Sequence, residues 1–251
     1  MKKILYILAM GVLVGAGSSC KKIDNYDAPN VTLTGSVVDA TTGAGIQTEQ
    51  GSGTRIKLLE ISYTANPTPF YISSMQDGTF TNTKLFAGTN VISAEGPFVP
   101  MVQTDDAGKT IVDESQTVQI KNTTTVTFKV HPLLRVEWVG TPTFNADGTI
   151  TAQVKFTRGT DDPNFQQDIS DVYLFVNATK YVGNNNYDNR YSQQITYDGS
   201  AGNAAAGTTI TITTKGGPMP GKRDYFIRVG ARTNYGLKYY NYTDVKTVAA
   251  P

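Results

Sequence analysis

From residue 31 to the C-terminus the chain is a succession of short segments in which apolar and polar residues alternate, and this period of two fixes the fold class. Alternation buries one face of a strand and leaves the other in water. Val31-Thr-Leu-Thr-Gly-Ser-Val-Val-Asp39 opens the series, with Val31, Leu33 and Val37 on one side. Arg55 to Ile61, Gln116 to Ile120 and Thr123 to Val130 follow the same rule. Asp39 to Gly45 reads as a turn, and Gln76-Asp-Gly-Thr-Phe80 as a tight hairpin leading into a strand. The chain holds 35 Thr and 14 Tyr, both strand formers, whereas runs of Ala, Leu, Glu and Lys are scarce. The expectation is an all-β protein.

His131-Pro132 interrupts the alternation on both sides, because proline removes a ladder donor. Each side is long enough to bury its own core. Two β-sandwich domains are therefore expected, over residues 31–132 and 133–251, meeting near residues 131–136. In the second, Leu134, Val136 and Trp138 share a face, which makes Trp138 a core residue rather than a ligand platform. Thr149 to Phe156 gives a clear strand, and Asp171 to Val176 reads as a central one. Tyr225 to Arg232 and Lys238 to Val248 read as a closing hairpin.

The first twenty residues give an address. Lys2 and Lys3 precede an apolar run, Ile4 to Val14, too short to span a bilayer but of the length of a secretory signal. Small residues 15–19 follow, then Cys20, the sole cysteine. This resembles a bacterial lipobox, with Gly17 where Leu is usual. The expectation is a signal peptide over 1–19, acylation at Cys20, a tether over 20–30 and a membrane-bound protein held by its lipid anchor. An ordinary signal with a chance cysteine is the competing account.

Formal net charge is +1, which argues against a nucleic-acid partner. One His and one Cys leave no His/Cys metal site, no Cys-His pair and no internal disulfide; neither metal nor cofactor is expected. A Ser-His-Asp triad would have to use His131, beside a proline at the junction. Acidic pairs such as Asp105-Asp106 and Asp161-Asp162 read as solvated loops, with weak calcium binding at 161–164 as the alternative. The non-enzymatic reading follows.

The aromatic bias is more informative, because ten of the fourteen Tyr lie from Tyr173 onward. Sugars need an aromatic platform for their C–H faces and planar polar groups for their hydroxyls. Tyr181, Asn185, Tyr187, Asn189, Arg190 and Tyr191 supply both in one Asn-rich segment, which makes 181–191 a candidate glycan-binding loop with Tyr187 as its platform. The alternative is a polar hairpin whose Tyr residues cover a sheet. Tyr235, Tyr239, Tyr240 and Tyr242 form a second candidate cluster; Tyr240 and Tyr242 share a strand face, so one of them is expected to pack inward.

Gly35-Ser-Val-Val-Asp39, Thr42-Gly43, Asp77-Gly78-Thr79-Phe80 and Leu85 to Val91 resemble the transthyretin-like, carboxypeptidase-regulatory sandwich, with Asn90-Val91 where that pattern has Tyr. Tyr225, Ile227, Val229 and Ala231 alternate as in the penultimate strand of a fibronectin III or immunoglobulin-like sandwich. Taken whole, and above all over Arg228-Val-Gly-Ala-Arg-Thr-Asn-Tyr-Gly-Leu-Lys-Tyr-Tyr-Asn-Tyr-Thr243, the chain resembles the two-domain lipoproteins of the domain of unknown function 3823 family. The resemblance implies an outer-membrane lipoprotein accessory to a SusC/SusD-type glycan importer, and it brings no catalytic residues. A glycan binder at the cell surface is the leading reading. An assembly subunit contacting the importer without sugar affinity is the second, and an exported glycoside hydrolase the third; either face of the outer membrane stays open.

Overall fold

The computed structural model describes residues 28–251. The expected signal segment, Cys20 and the expected tether up to residue 27 lie outside the described residues. The chain forms two β-sandwiches. In the first, β1 (Val31–Asp39) sits between β4 (Thr79–Leu85), antiparallel to it, and β9 (Thr123–Val130), parallel to it. The facing sheet has the order β3 (Phe70–Ser73), β2 (Arg55–Glu60), β5 (Gly88–Glu95), β8 (Gln116–Ile120). A separate hairpin joins β6 (Val102–Thr104) to β7 (Thr110–Asp113). The inward positions of the alternation, among them Leu33, Ile56, Phe80, Ile92 and Phe128, fill the core between the sheets. The turn at Asp77-Gly78 is tight, with the Asp77 carboxylate accepting from the Thr79 N–H at 3.0 Å. It is not a hairpin, however, because β3 and β4 lie in opposite sheets. A turn residue fixes the local bend, not the partner of the strand that follows.

In the second sandwich β12 (Ile150–Arg158) pairs with β10 (Leu134–Trp138), β11 (Thr143–Phe144) and β15 (Thr209–Thr213). The other sheet is built on β13 (Ile169–Asn177), flanked by β14 (Gln193–Thr196) and β16 (Arg223–Thr233). Against β16 lie β17 (Asn241–Tyr242) and β18 (Lys246–Ala250), the closing hairpin in two pieces. From Asp171 to Val176 every residue of β13 is buried, as its unbroken apolar run requires. A short helix, α1 (Ala201–Ala205), caps one end. Trp138 is half-buried against the core and donates its indole N–H to the Asp244 carbonyl at 3.1 Å.

The two sandwiches are joined by more than the linker. Leu133 donates its N–H to the Pro97 carbonyl, and the Asn241 side chain bridges that carbonyl to the Leu134 N–H. Arg135 forks onto Asp39, with contacts of 2.5 and 3.0 Å. Burial disfavours the Asp39 charge, but the Arg135 fork and the Thr41 N–H outweigh it and hold the carboxyl below the ordinary aspartate range. Arg228, fully buried on β16, crosses into the first domain. It donates to the Thr48 carbonyl at 2.7 Å, the Gln76 carbonyl at 3.2 Å and the Gln47 side chain, and to its own domain's Thr243 carbonyl at 2.8 Å. Its guanidinium lies 4.2 Å from the centre of the Tyr242 ring, and burial lowers its pKa to about 10.

Candidate functional site

The segment 181–191 is turned by the reciprocal Gly183–Asn186 bridge, and its exposed-looking amides are already engaged. The backbone N–H groups of Asn184 and Asn185 donate to the two carboxylate oxygens of Glu49 at 2.7 and 3.3 Å, and the Asn185 side chain donates to Ser52 at 2.6 Å. Glu49, a buried first-domain residue, also accepts from the Tyr242 hydroxyl. A Cβ on Gly183 would lie 2.4 Å from a Glu49 oxygen, so glycine is what permits the approach. The platform expected at Tyr187 is half-buried, with its ring edge-on to Tyr173 and Phe175 at 5.5 and 5.4 Å. Tyr191 is buried against Tyr225. Arg190 forks onto Asp188 and lies 5.1 Å from the centre of the Tyr191 ring. Tyr181, Asn189 and Arg190 keep exposed surface. The segment is thus largely a lock between domains. The Asn184 and Asn185 backbone N–H groups satisfy the buried Glu49 carboxylate of the first domain, which is how a loop so polar can sit at an interface.

The second cluster divides. Tyr240 and Tyr242 are both buried, where one had been expected inward; Tyr240 packs edge-on to Phe175 and Tyr242 tilted to it, in a core of rings between the domains. Their hydroxyls donate to the buried carboxylates Asp171 and Glu49. Burial first, and these carboxylates next, push both phenols above the ordinary tyrosine range. Gly230 lies under the two rings; a Cβ there would meet their carbons at 2.9 and 3.0 Å.

Tyr235 and Tyr239 face elsewhere. With Leu237 between them they roof a cleft of about 370 Å³ at the domain junction. Its floor is the first-domain sheet at Arg55 and Glu95, with Met101 at one side. The turn that carries the roof is closed by the Lys238 N–H donating to the Tyr235 carbonyl at 2.9 Å, and the Tyr235 ring is braced edge-on by Phe165 at 5.3 Å. Leu237, at the tip, is 75% exposed. On the floor Arg55 pairs with Glu95 at 2.7 Å while its guanidinium lies 4.0 Å from the centre of the Tyr71 ring. The Glu95 hydrogen bond, against partial burial, raises the Arg55 pKa. Both charged groups remain partly open to solvent. The cleft thus joins half-exposed rings to a planar guanidinium and a carboxylate.

Arg55, Glu95 and Leu237 were not marked by the sequence. They belong to different domains, and nothing local distinguishes Arg55 from other outward strand residues. Among the described residues no group of three or more His, Cys, Asp or Glu is placed to hold a metal, and no helix is long and apolar enough to cross a membrane.

Two family models match the chain. One, described as "Protein of unknown function (DUF3823) N-terminal domain", covers residues 31–131; the other, "Domain of unknown function (DUF3823_C)", covers 139–247. A DUF3823 family protein from Bacteroides uniformis is 36% identical, with TM-score 0.83 over 89% of this chain and 100% of its own. A second Bacteroides uniformis protein, provisionally described as carbohydrate binding, is 20% identical, with TM-score 0.66 over 88% of this chain and 99% of its own. A DUF3823 family protein from Parabacteroides merdae is 21% identical, with TM-score 0.66 over 88% and 100%. No curated protein matches the chain.

Proposed function

The chain belongs to the DUF3823 family, and on that premise we propose that it is a lipid-anchored glycan-binding protein serving a SusC/SusD-type importer at the outer membrane. The observation that carries the reading is the junction cleft, where Tyr235 and Tyr239 lie opposite the Arg55–Glu95 pair. A pyranose can lay its C–H face on the rings while the guanidinium donates to its hydroxyls and the carboxylate accepts from them. The Tyr235 ring is held in place by Phe165, so it loses little freedom on binding. The Bacteroides uniformis protein provisionally described as carbohydrate binding shares the fold at 20% identity, and the sugar assignment here rests on the cleft instead. Glu95 is the carboxylate that lines the cleft, and it is paired with Arg55. Glycoside hydrolysis by the usual route uses two carboxyl groups, so turnover of the same polysaccharides separates a hydrolase from a binder.

The test is affinity for a panel of polysaccharides. Tyr239→Ala is expected to weaken binding roughly thirtyfold, about 2 kcal/mol, as truncation of an aromatic anchor does. Tyr187→Ala is expected to lower stability while leaving the affinity of the folded fraction unchanged. Full affinity in Tyr239→Ala would remove the cleft as the site. If no polysaccharide binds the wild type, the exposed Leu237 at the rim favours an assembly subunit that docks on an importer protein.

A further inference from the structure

The first sandwich meets the second domain at one end; its far end gathers side chains that a water-soluble surface does not need. Ile61, Tyr63, Phe70 and Phe86 are 40%, 72%, 49% and 53% exposed. They come from the β2–β3 loop, the start of β3 and the β4–β5 turn. Strand register brings these places together: Leu58 lies opposite Phe70, Glu60 opposite Asn90, and Gly88 opposite Ile120. A cleft of about 570 Å³ opens among them, with Leu58, Leu85 and Ile120 at its base and Tyr63, Phe70 and Phe86 in its walls. Such a cluster, left in water, forgoes roughly 25 cal/mol for each Å² of apolar surface.

The same register places the entry of the chain. Val31 pairs with Leu85, the neighbour of Phe86, so the chain reaches β1 at this far end. Ten residues, 21–30, separate Cys20 from Val31. Ten residues, however arranged, span no more than ~36 Å. A lipid on Cys20 therefore keeps the aromatic end within reach of the bilayer.

We propose that the far end of the first sandwich is a bilayer-contacting face, whose Tyr63, Phe70 and Phe86 rings enter the headgroup region beside the anchor. The proposal rests on the acylation of Cys20 that the proposed function assumes. Aromatic rings concentrate at membrane interfaces because their faces are apolar and a phenol tip can stay wet. Lys84 and Lys121, both exposed at this end, suit lipid phosphates. Glu60, the one carboxylate lining the cleft, accepts from the Ser62 N–H at 2.8 Å, and the two lysines outnumber it. Seated in this way, the body stands with the junction cleft pointed away from the membrane.

The sole cysteine allows a test that does not depend on acylation in the cell. The chain from Cys20 to Pro251 is coupled through that thiol to a maleimide lipid in phosphatidylethanolamine–phosphatidylglycerol vesicles, and Tyr63→Trp is compared with Tyr181→Trp on the second domain. Emission is read as the difference from the parent chain, whose Trp138 also lies in the second domain. The expected result is a blue shift at Tyr63→Trp and loss of its emission to lipids brominated on the acyl chains, with Tyr181→Trp unaffected. Unquenched emission from Tyr63→Trp overturns the proposal; so does a response of that tryptophan to polysaccharide instead of lipid, which would make the face a second sugar site. Fatty-acid labelling in cells, with Cys20→Ala as control, tests acylation separately, and its failure leaves the quenching result readable.

Discussion

Arg228 is the residue on which the junction depends. A guanidinium with no exposed surface survives there because three carbonyls from both domains, the Gln47 side chain and the Tyr242 ring surround it. Arg228→Met leaves the Thr48 and Thr243 carbonyls without this donor, while the Gln76 carbonyl keeps the Thr48 N–H, and is expected to cost about 2–4 kcal/mol in urea unfolding. Arg228→Lys should recover only part of this, since an ammonium cannot reproduce the planar fork. Asp39 adds a pH dependence. Its folded pKa lies below the unfolded value of about 3.9, so its contribution is complete above that value and is lost as pH falls through the folded one. Asp39→Asn should therefore cost about 2 kcal/mol near neutrality and progressively less as pH falls through the folded pKa, a difference read by unfolding across an acid series. Neither role is written locally. Arg228 sits in an alternating strand at an outward position, and only its partners, 180 residues away at Thr48, make that position interior.

Strands were legible because each carries its own evidence: the inward set of β1, Val31, Leu33 and Val37, is buried as the alternation requires. The pairing of the Asp77-Gly78 turn was not, because the choice between sheets is made by contacts distant in sequence. The segment 181–191 shows the same limit for a site. Tyr, Asn and Gly in one loop suit a sugar, and they suit equally a lock that must satisfy a buried carboxylate, here Glu49, 135 residues from Asn184. The Tyr235–Tyr239 half of the second cluster was found in the sequence as a set of rings, without the first-domain floor that makes it a cleft. For the lock, Gly183→Ala is expected to destabilise the protein by about 1–3 kcal/mol, since the new methyl group would displace Glu49 from Asn184, Asn185 and Tyr242. Thermal unfolding of that variant measures it.

At the scale of the whole molecule there are two cores but many shared bonds. Each half has the strands for its own core, so separate folding is what the sequence leads one to expect. The junction changes the expectation for the second half, because fragment 133–251 would expose the Tyr173–Phe175–Tyr240–Tyr242 rings and strip Arg228 of its first-domain acceptors. The intact protein should unfold in one calorimetric transition, and the isolated second half should be markedly less stable than it is in the chain. Two well-separated transitions in the intact protein would show that the junction contributes little. The placing of β1 has a different consequence, one of order in time. Synthesis from the N-terminus delivers β1 ahead of every other strand, yet β1 lies in the middle of its sheet, and its parallel neighbour β9 is the last strand of that sandwich to emerge. Until then one edge of β1 stands open to any passing strand, the hazard that chaperones exist to cover.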